Sequence, residues 1–275
     1  MNAPLTKDTL CEAPDTSLWR LYLRLRPDAL EALLTGPESV GQSVIYRRLG
    51  LSSPLQGDCT PLEETVYDNP LLLGDFASVS MIIDTPRFVL LPSEAADTAS
   101  KVVSFMLPGH DAPSDTVTCP LGAMGELTLA MQIDTRLLNF LRRTFTNPAL
   151  HHPLTAAGNY LAHRNRTGDP RRSYALLAPD QMLLFGFSAD GTLRLANRYG
   201  ITGAADAAYF IMAATADHTP AAMLIGGDNA MRNEITPLLR TYMDPILPLT
   251  ISDDLLHLRR MAPEAPVDML MLTQL

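Results

Sequence analysis

Trp19-Arg20-Leu21-Tyr22-Leu23-Arg24-Leu25-Arg26-Pro27-Asp28 decides the architecture. Trp19, Leu21, Leu23 and Leu25 alternate with Arg20, Tyr22, Arg24 and Arg26. Successive strand side chains point to opposite sides, so this is a strand with one apolar and one charged face. Pro27-Asp28 signals a turn, because proline pre-sets the backbone of a turn's first corner. Residues 29–34 read either as the returning hairpin strand or as a short helical turn, since Ala, Leu and Glu favour helix. After turn signals at Gly36-Pro37-Glu38 and Gly41, residues 43–49 form a third strand ended by Gly50.

The same order returns later. Residues 173–178 read as a strand, Pro179-Asp180 as a turn, and residues 182–187 as a second strand. Ala189-Asp190-Gly191 is a hairpin turn into a third strand at 192–198. The third strands end alike, in Arg48-Leu49-Gly50-Leu51 and Arg198-Tyr199-Gly200-Ile201. A helix follows in each half, at 61–67 and 204–217, then a short apolar strand at 79–83 and 221–225. The first half continues with strands at 87–91, 116–119 and 126–133. Ser93 is placed to cap a helix reaching residue 106. Asp134 or Thr135 caps another, with an apolar stripe of Leu137, Leu138, Leu141 and Phe145. A further helix covers 153–163. Gly226-Gly227-Asp228 reads as a tight turn into a helix within 230–243, which Pro237 would interrupt. An amphipathic stretch at 253–260 and an apolar one at 267–272 end the chain. The expected fold class is α/β, built from a duplicated β-β-β-α unit. The expected lobes span 17–163 and 172–275, joined by 164–171, which holds Gly168, Asp169 and Pro170.

A three-stranded meander followed by helices and parallel strands, used twice, resembles the duplicated ribonuclease-H-like lobes of the actin-like ATPase fold. Several segments resemble a bacterial family known as domain of unknown function 3822. They are Asn69-Pro70-Leu71-Leu72, Asp84-Thr85-Pro86-Arg87-Phe88, Leu91-Pro92-Ser93-Glu94, His151-His152-Pro153-Leu154, Leu195-Ala196-Asn197-Arg198-Tyr199 and Leu224-Ile225-Gly226-Gly227. The resemblance covers about residues 18–250. It implies the fold and no activity.

Actin-like ATPases hold phosphates on two hairpin turns, in which an Asp is closely followed by Gly. The glycine lets backbone N–H groups approach phosphate, and the carboxylate positions magnesium and water. The matching turns here are Arg26-Pro27-Asp28-Ala29 and Ala178-Pro179-Asp180-Gln181. Asp28 and Asp180 are kept, the glycines are missing, and proline removes an N–H donor where donors are wanted. In the superfamily a Gly-Gly at the place of Gly226-Gly227 meets the adenosine. The resemblance therefore implies Asp28, Asp180, Gly226 and Gly227 as nucleotide-contact candidates, with ATP and magnesium as cofactors under that reading alone. The plainer reading makes the aspartates ordinary turn residues and the glycines a tight strand-to-helix turn. Phosphorylation of a sugar or small metabolite needs the same hairpins and meets the same objection.

Other chemistry finds little support. No G-x-x-x-x-G-K-[ST], G-x-S-x-G or H-E-x-x-H motif occurs. Cys11, Cys59 and Cys119 are scattered, which suggests neither zinc nor a redox pair and fits a reducing compartment. His151-His152 and His163 lack a carboxylate at ligand spacing and read as surface or capping residues. Arg164, Arg166, Arg171 and Arg172 read as a solvated linker. A net charge of −9 argues against phosphate backbones and anionic membranes as partners. Residues 1–16 lack the basic start and apolar stretch of a signal peptide, and no run approaches the roughly 20 apolar residues of a membrane span. The expectation is a cytoplasmic, non-catalytic actin-like scaffold or macromolecule-binding protein with another protein as partner. The alternative is an ATP-binding or ATPase-like protein using the interlobe cleft.

Overall fold

The computed structural model describes residues 16–37, 43–55, 58–109, 113–165, 171–217 and 220–275. Cys11, the turn at Glu38 and Gly41, and the central linker with Arg166, Gly168, Asp169 and Pro170 lie outside the described residues.

The opening alternation becomes β1 (Arg20–Leu25), which turns back into β2 (Ala29–Thr35) and again into β3 (Val44–Gly50). Residues 29–34 are thus strand. Helix propensity yields because Ala29, Leu30, Ala32, Leu33 and Leu34 all gain burial by pairing along β1. Helix α1 (Thr60–Tyr67) follows, with Pro61 in its first turn, where a missing N–H costs nothing. Strand β4 (Ser78–Ile83) then runs parallel to β1.

An insertion of β5 (Phe88–Pro92), α2 (Ala99–Met106), β6 (Ser114–Leu121) and β7 (Leu127–Asp134) forms a separate three-stranded sheet ordered β5-β7-β6. Leu91, Ala99, Val103 and Ala130 make its small core. Ser93 does not cap a helix: Ser93–Thr98 is a 3-10 turn without a side-chain cap, and α2 starts at Ala99. Asp134 does cap α3 (Thr135–Thr144), its Oδ1 accepting from the N–H groups of Arg136 and Leu137. Strand β8 (Ala149–His151) joins β4 in parallel, and the sheet is ordered β3-β2-β1-β4-β8. Helix α4 (Pro153–Asn165) leads out.

The second half repeats this plan. Strands β9 (Arg172–Leu177), β10 (Gln181–Phe187) and β11 (Leu193–Gly200) form the meander. Helix α5 (Ala204–Thr215), β12 (Ala222–Gly227), α6 (Asn229–Leu239) and β13 (Ile246–Pro248) complete a sheet ordered β11-β10-β9-β12-β13. Pro237 sits inside α6 without ending it. Helices α7 (Asp253–Met261) and α8 (Val267–Leu272) close the chain. On one face of this sheet Ala175, Leu177, Met182, Leu184, Met223 and Ile225 pack with Ala207, Ile211, Ile235 and Leu239 of α5 and α6. Each large side chain buried there stabilises the fold by about 1.5–3 kcal/mol. The alanines of α5 let that helix lie close to the sheet.

The repeat extends to individual backbone bonds. Arg26 N–H donates to Ala29 at 2.9 Å across the first turn, and Ala178 N–H to Gln181 at 2.8 Å across the second. Leu51 N–H reaches the Asp28 carbonyl at 3.0 Å, and Ile201 N–H the Asp180 carbonyl at 3.1 Å. Asp84 N–H bonds the Leu25 carbonyl, and Asp228 N–H that of Leu177.

Contacts divide the chain into two compact units. The first comprises Met1–Cys119, Thr128–Pro153 and Leu256–Ala265, and the second Pro120–Leu127, Leu154–Leu255 and Pro266–Leu275. Among the described residues no helix is long and apolar enough to cross a membrane.

Candidate functional site

In the first unit the β1–β2 turn is ringed by charge. Asp28 Oδ2 accepts from Arg48 Nη2 at 2.8 Å, and its Oδ1 lies 3.7 Å from Arg26 Nε. The strand register explains how. Arg24 lies opposite Glu31, and Glu31 opposite Arg48, so one face carries plus, minus, plus across three strands. Arg24 Nη1 lies 3.8 Å from Glu31 Oε2, and Arg48 Nη1 lies 3.8 Å from Glu31 Oε1. Arg24 Nη2 also donates to Asp84 Oδ2 at 2.9 Å, just beyond β4. Arg24, Glu31 and Asp84 are all buried. The face read from sequence as a charged surface is therefore covered, and its charges pair with one another because burial demands it. Nearby, burial and then the Glu31 carboxylate push the Tyr46 hydroxyl well above its usual range, so it stays a neutral phenol.

The second unit keeps the turn but not the network. The register places Leu183 of β10 between Leu176 and Arg198, where the first unit has Glu31 between Arg24 and Arg48. Asp180 stands on its turn as Asp28 does on the first.

Gly226 and Gly227 are not a free-standing turn; they end β12, paired with Leu176 and Leu177 of β9. A Cβ on Gly226 would lie 2.7 Å from Leu249 Cδ2. Leu249 is tied to this place by its N–H, which donates to the Ile225 carbonyl. Gly227 has φ +94°, and a Cβ there would fall 2.0 Å from the Leu177 carbonyl oxygen. The space that both glycines leave is taken by the protein itself. Asp228 follows and caps α6, accepting from Met231 N–H. The second unit thus brings Gly226 and Gly227 beside the strand whose turn carries Asp180.

A cavity of about 180 Å³ opens at the carboxyl edge of the first unit's main sheet. Leu55, Ile83, Ile133 and Leu137 supply apolar walls, and Asp58, Cys59, Thr85, Arg87, Gln132 and Asp134 the rest. Leu55 is held beside the first turn by its N–H, which donates to the Pro27 carbonyl. Arg87 is clamped: Nε donates to Gln132 Oε1 at 2.8 Å, and Nη2 to the Leu107 carbonyl. Burial, then Asp134, Glu63 and Asp58, push the Cys59 thiol up to about 11. None of this was visible in the sequence, because the walls come from three separate stretches, 55–59, 83–87 and 132–137.

His152 is not a surface residue. It is fully buried, with Nε2 2.9 Å from the Thr85 carbonyl oxygen and its ring 4.6 Å from that of Phe88. Burial also lowers the His151 pKa. Among the described residues no three His, Cys, Asp or Glu side chains are grouped to hold a metal ion.

Comparison with solved structures agrees with this architecture. A Bacteroides thetaiotaomicron protein with actin-like ATPase fold and unknown function superposes with a TM-score of 0.75 at 15% identity, covering 94% of this chain and 97% of that one. The PilM-PilN type IV pilus biogenesis complex contains a chain that matches with a TM-score of 0.61 at 11% identity, covering 93% and 98%. At these identities the likeness establishes the fold: two sheet-based lobes of the actin-like ATPase type. No curated protein sequence matches. The family model described as Protein of unknown function (DUF3822) matches residues 12–246, most of the chain, and the protein accordingly belongs to the DUF3822 family.

Proposed function

We propose that the protein is a non-catalytic member of the actin-like fold, cytoplasmic, that acts by binding another protein. The observation that carries this reading is the state of Asp28. Its carboxylate is engaged by Arg48 at 2.8 Å and faced by Arg26 at 3.7 Å, arginines that a bound magnesium ion would have to displace. Pro27 and Pro179 lend further support, since each removes an N–H from a turn that would cradle phosphate. So do Gly226 and Gly227, whose missing side chains make room for Leu249 and for the Leu177 backbone. The PilM-PilN complex is a precedent for this fold within a protein assembly.

ATP and magnesium at Asp28, Asp180, Gly226 and Gly227 is the competing reading, favoured by the aspartate kept on both turns. A thermal-shift titration of the full chain with magnesium-ATP separates the two. A ligand at 100 times its dissociation constant stabilises by about 2.7 kcal/mol, which moves the melting temperature by roughly a few degrees. No shift at millimolar ATP is the expected result. A saturable shift that Asp180→Ala abolishes would overturn the non-catalytic reading.

A further inference from the structure

We propose that the cavity between Leu55, Ile83, Ile133 and Leu137 is a docking pocket for one apolar side chain of a partner protein, flanked in that partner by a basic residue. This rests on the reading that the protein binds another protein.

Size suits one apolar side chain. A cavity of about 180 Å³ has the volume of about six liquid waters. Sites that enclose drug-sized ligands run to about 300–1,000 Å³. A single large apolar side chain fits a cavity of this size, and such anchors in small pockets carry much of the energy of protein interfaces.

Place supports the same occupant. Ile83 is the last residue of β4 and Thr85 lies two beyond, so the pocket sits outside the carboxyl end of a parallel strand, where α/β sheets gather their ligands. Its walls are rigid: Arg87 is held by Gln132 and Leu107, and Asp134 is locked as the α3 cap. Leu107, whose carbonyl holds Arg87, directly follows Phe105 and Met106, which are 83% and 57% exposed.

Charge defines the flanking residue. Asp58 and Asp134 line the pocket, and Glu63 is close enough to act with them on Cys59; Arg136 opposes them. Arg87 also lines the pocket, held by the neutral oxygens of Gln132 and Leu107. The acidic wall, in a chain of net charge −9, selects a Lys or Arg next to the apolar anchor.

The test uses the full chain as bait for a phage-displayed library of short random peptides. Selected peptides are synthesised, and their affinities measured by fluorescence anisotropy. The expected result is enrichment of an apolar residue beside Lys or Arg. Binding should weaken about tenfold in Leu137→Trp, which fills the cavity, and in Asp58→Asn, which removes the charge at an exposed position and keeps an oxygen for the Thr60 N–H and hydroxyl. Bound peptide should also slow alkylation of Cys59, followed by mass spectrometry of the fragment that carries it. No such enrichment, or peptides that bind both variants like the native chain and leave Cys59 alkylation unchanged, would overturn the proposal. A partner cross-linked to another surface would overturn this pocket and leave the broader partner reading standing, whereas a saturable ATP shift strikes the broader reading.

Discussion

Arg24 Nη2 lies 2.9 Å from Asp84 Oδ2, with both side chains almost wholly sealed from water. Glu31 flanks the same guanidinium. Removing one partner from such a cluster leaves a buried charge uncompensated, which costs about 3–5 kcal/mol. Arg24→Met is therefore expected to destabilise by about that much in urea titration. The triple change Arg24→Leu, Glu31→Leu and Asp84→Asn removes the charges together and should cost less than Arg24→Met alone. A triple variant weaker than the single one would mean that the network is a net source of stability.

The two terminal glycines of β12 should respond unequally. Gly227→Ala meets the Leu177 backbone at a left-handed φ, so neither neighbour nor backbone can give way easily. Gly226→Ala meets the side chain of Leu249, which can shift, and overpacking of this kind costs about 1–3 kcal/mol. Thermal denaturation without nucleotide should rank Gly227→Ala as the more damaging. The reverse order would mean that Leu249 is held more rigidly than the Leu177 backbone.

Acid should weaken the fold through His151. Burial lowers its pKa, so the unfolded chain binds the proton more readily than the folded one. The His151 contribution is complete above the unfolded value of about 6.5 and is lost as pH falls below it. His151→Gln should flatten the stability profile between about pH 6.5 and 5. An unchanged slope would assign that acid sensitivity to other groups.

Thiol chemistry offers a further check. Cys59 is raised to about 11 and Cys119, by burial, to about 12, and the Cys119 thiol donates to the Leu150 carbonyl. Since the thiolate is the reactive form, iodoacetamide should modify Cys59 slowly at pH 8 and faster up to about pH 10. Cys119 should react on unfolding. A fast-reacting Cys59 at neutral pH would contradict the acidic surroundings described for the pocket.

Much of the fold was legible because it rests on local signals. Alternation in β1, the Pro-Asp turns and the apolar run of β12 each follow from short-range periodicity or turn chemistry. Strands β8 and β13 were not legible, since three residues carry no period. Alternation shows that Arg24 and Leu25 face opposite ways, but not that both faces of β1 are covered. Gly226-Gly227 reads as a turn because glycine pairs usually make one; the requirement here comes from Leu177 and Leu249, distant in sequence. The cavity draws on residues from Leu55 to Leu137, and no spacing rule links them. Arg24 and Glu31 did leave a trace, as charged residues within strongly apolar strands.

A duplicated chain faces a hazard that a single-lobed one escapes: its halves can exchange partners while folding. The two meanders share strand order and the Pro-Asp turn, and β2 and β10 have seven residues each, so β1 could align with β10 as readily as with β2 on shape alone. The ion network makes the two meanders chemically distinct. Aligned with β10, Arg24 would lie against Leu183 instead of Glu31, a buried cation facing hydrocarbon. The charges that look costly for stability thus tell one half from the other, and the double variant Arg24→Leu, Glu31→Leu should refold with a lower yield of native protein than an equally destabilised variant altered away from the network.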